Sequence, residues 1–328
     1  MAKLVTIYGG SGFVGRYIAR RLAKDGWRIR VAVRRPNEAM HVKTYGGVGQ
    51  VEPVFCNIRD DASVRSVMQG ADAVINCVGI LAQSGANSFE AVQHHGAERI
   101  ARIATELSVA RLVHLSAIGA SKDGLSEYSQ TKGHGEDGVL SQFPAAVILR
   151  PSVIFGAEDQ FFNKFGKMAA ALPVVNIAGG NTRFQPVYVD DVAKAAVLAV
   201  SGGAASGIYE LGGPEVKTLR ELIADLLTII HRRRLVVNLP FFAARIAATM
   251  LDFASAMTMG MFPNKILTRD QLKGLRNDSV VGADAKGFAD LGINPMPMEL
   301  ILTDYLWCYR PSGQFDEIKD SAKNLRRH

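Results

Sequence analysis

The chain has 328 residues, of which 48% are hydrophobic, so it can bury the core of one large α/β domain and of a smaller appended one. A formal charge of +7 and a pI near 9.3 would favour nucleic acid or an anionic membrane surface only if the basic side chains were gathered on one face. The densest basic run, residues 231–235, contains no aromatic residue for base stacking, so nucleic acid is not expected as a partner.

The cysteines and the first residues exclude further classes of protein. Cys56, Cys77 and Cys308 are far apart and form no Cys-x-x-Cys pair, which argues against a zinc site or a disulfide framework and predicts reduced, buried thiols. The first strand begins near Lys3, which leaves no room for a signal peptide or an Arg-rich transit sequence. No run of about 20 predominantly apolar residues is present, so we expect a protein that can lie against a membrane without crossing it.

Strands and helices alternate through the first half of the chain. A β-branched run at 3–10 ends in glycines, and residues 13–26 follow with apolar positions at helical spacing. Further buried strands are predicted at 28–33, 51–56, 71–79, 110–116 and 145–150, with helices between them at 60–70 and 91–107. This alternation requires parallel pairing with right-handed crossovers, which predicts a Rossmann-type doubly wound sheet.

After residue 156 the alternation becomes irregular and mainly helical. We therefore divide the chain into a nucleotide-binding Rossmann core, 1–156, and a mixed C-terminal region, 157–328, in which 184–200 partly complete the core. Asp190 and Asp191 begin a predicted helix, and one of them is expected to cap it. Thr218-x-x-Glu221 and Thr268-x-x-Gln271 have the spacing of capping boxes ahead of two further helices.

Residues 239–263 are unusually rich in phenylalanine and methionine. They fit the buried core of a helical docking or cap segment, and they equally fit an adaptable surface for a protein partner or for lipid headgroups. The polar tail at the end of the chain, residues 312–328, is expected to extend over another surface.

The first strand ends in a glycine motif, GGSGFVG, at residues 9–15. Gly9, Gly12 and Gly15 lie at the turn from strand to helix, where backbone amides can approach a pyrophosphate only if side chains are absent. The motif lies within a complete strand, helix and strand unit, which makes it strong evidence for a dinucleotide. Ser11, Phe13 and Val14 belong to the same turn and are expected to contact the cofactor.

The second strand ends in Arg34 and Arg35, where an NAD site has an acid for the ribose hydroxyls. A guanidinium group matches a phosphate, so the sequence predicts NADPH as the cofactor. Arg16 either adds a further phosphate contact or is solvated. Farther along, Asn57 and Ile58 end the third strand and are expected to border the adenine, while Val78 and Gly79 end the fourth and allow the backbone to approach the ribose.

These motifs together resemble the short-chain dehydrogenase/reductase superfamily, in its extended or atypical branch. The resemblance covers residues 3–200 and follows the order GGSGFVG, NCVG, HLSAIGA, YSQTK, RPSVIFG and VYVDDVA. It implies that Ser116, Tyr128 and Lys132, and Pro151 and Val153 of RPSVIFG, also border the cofactor. More narrowly, residues 8–36 and 267–281 resemble the NADPH-binding accessory subunits of respiratory complex I, the proton-pumping NADH:ubiquinone oxidoreductase.

The tyrosine and lysine of YSQTK lie one helical turn apart. In catalytic members of the superfamily the lysine lowers the pKa of the tyrosine and binds the nicotinamide ribose, and a serine orients the substrate. When the loop is read as in extended family members, Ile118 occupies the position of that serine, Ser116 lies two residues earlier, and Ser121 stays an alternative. Tyr128, Lys132 and Ser116 are therefore interpreted as vestigial, and turnover is not expected.

No metal ligand is predicted. His94 and His95 lie in a polar helical stretch and are expected at the surface or beside the ribose.

The complex I resemblance implies a structural subunit that holds NADPH without turnover. It further implies partners among the subunits near the junction of the hydrophilic and membrane arms, with lipid headgroups nearby. The expected location is the cytoplasmic face of a bacterial inner membrane, or the matrix side in a mitochondrion. Two alternatives remain open, a free-standing NADPH-dependent reductase, dehydrogenase or epimerase, and an accessory protein of quinone biosynthesis.

Overall fold

The structure, a computed structural model, describes residues 2–257 and 268–315. Its strands, in chain order, are β1 (Leu4–Tyr8), β2 (Arg28–Val33), β3 (Val51–Phe55), β4 (Ala73–Asn76), β5 (Arg111–Leu115), β6 (Val147–Pro151), β7 (Ile154–Phe155), β8 (Val174–Ala178), β9 (Arg183–Phe184), β10 (Val187–Tyr188), β11 (Gly207–Leu211), β12 (Lys217–Thr218) and β13 (Leu235–Leu239). Its α-helices are α1 (Phe13–Lys24), α2 (Asp61–Met68), α3 (His95–Glu106), α4 (Glu127–Gln142), α5 (Phe162–Ala171), α6 (Val189–Val200), α7 (Leu219–Ile229), α8 (Phe241–Met257), α9 (Arg269–Gly274) and α10 (Met298–Leu306). A π-helical turn, Glu90–His94, leads into α3, and 3-10 turns occupy Pro36–Tyr45, Ala289–Leu291, Trp307–Tyr309 and Gly313–Phe315.

A seven-stranded parallel sheet forms the centre of the molecule, in the order β11-β6-β5-β4-β1-β2-β3. The chain proceeds from β1 to one side through β2 and β3, and then crosses to the other side of β1 to add β4, β5 and β6. This arrangement confirms the predicted doubly wound Rossmann-type fold. The point at which the direction reverses, between β1 and β4, is where such sheets bind their ligands.

Helices cover both faces of the sheet because its strands are apolar on both sides. On one face Val5 and Ile7 pack with α1 and α6. On the other face Tyr8 packs toward α2, and its hydroxyl donates a hydrogen bond to Val64 O at 2.9 Å. Strand alternation thus divides β1 between two hydrophobic clusters, each of which fixes the sheet against one layer of helices.

The C-terminal region has its own hydrophobic cluster, built from α5, α7 and α10. Phe162, Leu222 and Leu302 are fully buried in it. Both predicted capping boxes are present: Thr218 with Glu221 begins α7, and Thr268 with Gln271 begins α9.

Part of the C-terminal region returns to the Rossmann sheet. Glu210 N of β11 donates to Lys286 O at 2.8 Å, and Ser152 Oγ donates to Ser279 O at 2.6 Å. Phe288 and Leu291 then complete the hydrophobic cluster under α1 and α6. The sheet extends beyond residue 200, because it includes β11 and the return segment packs on it. The sequence analysis predicted neither of them.

Two expectations are wrong. Neither Asp190 nor Asp191 caps α6, because the helix begins one residue earlier and Tyr188 is its N-cap. Asp190 instead forms a two-point ion pair with Arg21 of α1, at 2.6 and 2.5 Å, and buried Asp191 accepts a hydrogen bond from Lys194 Nζ at 2.7 Å. The thiols are free, as predicted, but Cys308 is exposed while Cys56 is buried.

Helix α8 carries most of the Phe- and Met-rich segment. Ala244 and Ala248 are buried beside Leu272 of α9, whereas Phe242, Ile246 and Met250 are exposed by 70, 61 and 69%. Residues 258–263 of the segment lie outside the described residues. Within residues 2–257 and 268–315, no helix has the length and the apolar character needed to cross a bilayer.

Candidate nucleotide-binding site

The predicted cofactor-binding residues follow the carboxyl ends of neighbouring strands. Gly9 comes directly after β1, and a Cβ placed on it would lie 3.2 Å from the Cγ2 atom of Val78, which follows β4. A Cβ placed on Gly79 would lie 3.6 Å from Nζ of Lys132 on α4. The structure therefore brings the glycine turn, the loop after β4 and the Tyr-Lys helix together at one edge of the sheet.

The glycine turn provides a backbone cradle at the start of α1. Gly9 has a φ of +73°, a conformation that favours glycine. A Cβ on Gly15 would lie 2.5 Å from Gly9 O, so only glycine lets the helix pack this closely on the turn. Gly12 is the N-cap residue of α1 and has no side chain to cap the helix, and the first turn of α1 contains no acidic residue. The N-terminal amides are thus open to an anion, which fits the pyrophosphate of a dinucleotide.

The Arg16 side chain is largely covered and contacts both the glycine turn and a second loop. Its guanidinium donates to Ser11 O at 3.2 Å and forms an ion pair with Glu158 at 3.2 Å. It therefore ties the glycine turn to the loop after β7.

Arg34 and Arg35 follow β2 directly and are both exposed. Arg35 forms an ion pair with Glu38 at 2.9 Å, one turn ahead in the 3-10 segment. Arg34 has no ion-pair partner in the part of the chain that the structure describes. A guanidinium group is thus available where an adenosine ribose would carry its additional phosphate.

Asn57 and Ile58 lie two and three residues beyond the end of β3. Asn57 Oδ1 accepts a hydrogen bond from Arg59 N at 3.2 Å, and Ile58 lies against Gly96 of α3, where a Cβ would come within 2.9 Å of its Cδ1. The turn after β3 is therefore held by local contacts. Pro151 and Val153 serve as backbone acceptors: Pro151 O accepts from Ile118 N at 3.0 Å, and Val153 O from Val187 N at 2.9 Å.

Tyr128 and Lys132 are placed by the first turns of α4. The Tyr128 ring contacts Phe89 edge to face, with the ring centres 5.9 Å apart. Lys132 is buried, and its Nζ donates to Leu115 O at 3.0 Å, at the end of β5. Burial raises the pKa of Tyr128 to about 12 and lowers the pKa of Lys132 to about 8. Tyr128 is therefore a neutral phenol near pH 7.

Two buried polar groups at the end of β5 stay unpaired. Neither Ser116 Oγ nor His114 Nε2 has a hydrogen-bond partner among the described residues. The other ring nitrogen of His114, Nδ1, lies 3.1 Å from Asn76 Nδ2. Because unpaired buried polar atoms are costly, Ser116 Oγ at this edge fits a site that a hydroxyl-bearing ligand or a water completes. Burial lowers the pKa of His114 to about 3, so the ring is neutral.

The sequence analysis missed the contribution of α9 to this site. The Asp270 carboxylate accepts hydrogen bonds from Glu127 N at 2.8 Å and from Tyr128 N at 3.1 Å. It therefore caps the helix that carries Tyr128, together with Ser126, whose Oγ accepts from Ser129 N. The sequence signal for α9 was its capping box, which predicts where the helix begins. A capping box does not predict which other elements the helix contacts.

A groove of about 640 Å³ lies between α9, α8 and the loop after β4. Glu127 borders it at the start of α4, and Phe89 borders it beside Tyr128. Its opposite side is basic, with Arg245 and Arg276 among the lining residues. Phe89 and Glu127 thus connect the groove to the part of α4 that carries Tyr128.

Comparisons with known proteins agree with this geometry. Residues 5–212, which end one residue after β11, match the model of the NAD dependent epimerase/dehydratase family. The chain is 36% identical over 318 residues to the mitochondrial NADH dehydrogenase (ubiquinone) 1 alpha subcomplex subunit 9 of Arabidopsis thaliana, covering 94% of this chain and 79% of the relative. It is 31% identical over 322 residues to the mitochondrial NADH-ubiquinone oxidoreductase 40 kDa subunit of Neurospora crassa, covering 98% and 83%.

Two further proteins bear on the chemistry and the fold. A ceramide reductase of Caulobacter vibrioides is 29% identical over 257 residues, covering 78% of this chain and 79% of the relative. The crystal structure of the Bordetella bronchiseptica enzyme WbmH in complex with NAD⁺ has a TM-score of 0.68 at 16% identity, covering 95% of this chain and 100% of that one. At this identity the likeness to WbmH shows the fold alone.

Proposed function

Since the chain belongs to the NAD dependent epimerase/dehydratase family and, within it, to the group of the alpha subcomplex subunit 9 proteins, we propose that it is an accessory subunit of the NADH:ubiquinone oxidoreductase that holds NADPH without turnover. The relatives from Arabidopsis and Neurospora are named as subunits of that complex. The observation that carries the proposal is the open glycine cradle at the start of α1, and the family resemblance adds that Ile118 would stand at the position of the catalytic serine.

Support for NADPH comes from the end of β2. Gly9, Gly12 and Gly15 would hold the pyrophosphate at the start of α1, and Arg34 would bind the additional phosphate on the adenosine ribose. Arg35 would join it by exchanging its exposed contact with Glu38 for the phosphate. A charge-assisted hydrogen bond contributes about 1.5 to 3 kcal/mol, which corresponds to a preference of about 10- to 150-fold for NADPH over NADH.

Support for the absence of turnover comes from the groups beside the nicotinamide position. The raised pKa of Tyr128 makes its phenol a weaker proton donor to a substrate carbonyl, and isoleucine cannot donate a hydrogen bond to that carbonyl. Lys132 and Ser116 would still hold the nicotinamide ribose, since both polar ends lie at the carboxyl end of β5. A bound nucleotide then stabilises the folded subunit by mass action.

The proposed position is at the junction of the hydrophilic and membrane arms of the complex, peripheral to the membrane. The exposed apolar side chains of α8, Phe242, Ile246 and Met250, support a docking role, and the neighbouring Arg245 suits acidic partners or lipid headgroups. The related subunits are named mitochondrial. We propose the matrix side for a mitochondrial chain and the cytoplasmic face for a bacterial one.

Nucleotide identity is tested by isolating the full chain under native conditions and analysing the released nucleotide by mass spectrometry. Arg34→Ala should weaken NADPH binding by about 10- to 150-fold and leave NADH binding unchanged. Arg220→Ala is the matched control, because Arg220 is an exposed arginine on α7. Release of NADH alone, or equal NADPH affinity in both variants, would contradict the assignment.

The role is tested by solubilising membranes in mild detergent and following NADH:quinone reductase activity. The chain should co-purify with that activity, and Tyr128→Phe should change neither assembly nor the bound nucleotide. A second candidate is a free-standing reductase, which the similarity to ceramide reductase and the presence of Tyr128 and Lys132 one turn apart on α4 favour. It predicts that the free chain oxidises NADPH when offered carbonyl substrates and that Tyr128→Phe abolishes this activity.

A further inference from the structure

Helix α3 begins with a wide π turn instead of a regular α-helical one. In the Glu90–His94 turn, His95 N donates to Glu90 O, a bond across five residues. In an α-helix, side chains five residues apart point about 140° away from each other. The wider turn instead places both His94 and His95 beside Glu90. Single π turns of this kind occur frequently at functional sites.

Three ligand-type atoms converge at this turn. Glu90 Oε1 lies 2.5 Å from His94 Nδ1 and 3.5 Å from His95 Nε2, and all three ligand atoms are within 4.8 Å of one another. A tetrahedral zinc site with bonds of about 2.0 Å places neighbouring ligand atoms about 3.3 Å apart. Glu90 and His95 are exposed, so their side chains have room to adjust toward this spacing.

The surroundings hold the cluster in place. His94 Nε2 faces Glu98 Oε2 at 3.9 Å, and the His94 ring stacks on His134 of α4 with the ring centres 5.3 Å apart. A carboxylate on the second nitrogen of a ligating histidine is the usual support of a metal site. Beneath the turn, buried Gln93 donates to Ile80 O at 3.0 Å, which fixes the backbone against the loop after β4.

We propose that Glu90, His94 and His95 bind a divalent transition-metal ion of the zinc class, with a solvent-facing position left for water. Two imidazoles and one carboxylate suit zinc, nickel, copper or cobalt, whereas magnesium and calcium prefer oxygen ligands alone. Glu90 and His94 belong to the π turn and His95 is the first residue of α3, so all three ligands lie within six consecutive residues. The sequence did not predict a metal site here, because in a regular α-helix His95 would point away from Glu90 and only His94 would lie beside it.

The test uses the full-length, untagged chain, with Co²⁺ as the spectroscopic probe and Zn²⁺ as its competitor. The wild type should bind one Co²⁺ per chain with the visible absorption of a low-symmetry, four-coordinate ion, and Zn²⁺ should displace it. His95→Gln and Glu90→Gln should each weaken Zn²⁺ binding by at least about tenfold. His41→Gln, which changes an exposed histidine elsewhere, should leave binding unchanged.

Thermal unfolding provides the second measurement. Excess Zn²⁺ should raise the melting temperature of the wild type and of His41→Gln, but not that of His95→Gln, which should match the metal-free wild type because residue 95 is exposed. Equal Zn²⁺ affinity in the wild type and His95→Gln, or a loss of the same size in His41→Gln, would overturn the proposal. If His95→Gln unfolds, Glu90→Gln decides by the same criteria.

Discussion

Replacing Asp270 with alanine tests whether α9 secures the helix that carries Tyr128. Its carboxylate accepts from two first-turn amides of α4, Glu127 N and Tyr128 N. A side-chain cap contributes typically about 1 kcal/mol, and a negative charge at a helix N-terminus adds about 0.3 to 1 kcal/mol. Ser126 remains as a cap in the variant, so we expect Asp270→Ala to cost about 1 to 2 kcal/mol, and Asp270→Asn about half of that, since the amide keeps one acceptor.

Urea denaturation of the full chain measures the change in unfolding free energy, and hydrogen exchange over residues 120–135 measures the local effect. Exchange at the first turn of α4 should accelerate in Asp270→Ala, since these amides lose their acceptors. Asp284→Ala is the control, because Asp284 is exposed and has no hydrogen bond or ion pair within the described residues. If the two variants agree within about 0.5 kcal/mol and α4 exchanges as in the wild type, the capping role is refuted.

Two further variants test the site and the core. Gly15→Ala should destabilise the protein by about 1 to 3 kcal/mol in urea and abolish nucleotide binding, because its Cβ would lie 2.5 Å from Gly9 O; Gly274→Ala, which has open space, should do neither. Burial lowers the pKa of His114 from 6.5 to about 3 in the folded state, so between these pH values the unfolded state binds more protons. The free energy of unfolding therefore falls as the pH drops below about 6.5, by up to about 1.4 kcal/mol per pH unit. His114→Gln should flatten this dependence between pH 6.5 and 4.5, whereas His41→Gln should not; parallel curves for wild type and His114→Gln would show that another group is responsible.

The nucleotide-binding half could be predicted because its signals are local. Apolar runs and the helical spacing between them gave β1 to β6 and α1 to α3 within a few residues, whereas α4 was predicted only as one turn around Tyr128 and Lys132. Strand β11 was missed because its run, Gly207–Leu211, is short and pairs with β6 about 60 residues earlier, a contact that no local pattern shows.

The contacts that complete the site are long-range and left no mark in the local pattern. Asp270 meets α4 across about 140 residues of chain, and Asp190 meets Arg21 across about 170. An acid in the first turn of a helix looks like a cap from sequence, whichever partner it finds in the fold. The π turn before α3 was hidden for another reason, since it changes which side chains share a face without changing composition.

The segment that returns to the sheet affects how the protein is made. Phe288 and Leu291 fill the hydrophobic cluster beneath α1 and α6, so that cluster is incomplete until almost the whole polypeptide has left the ribosome. During synthesis its apolar surface stays exposed while about 80 further residues are translated after β11. A cell should therefore need a chaperone, or an early-binding nucleotide, to protect the nascent chain, and a fragment ending at residue 212 should aggregate despite containing every strand of the sheet.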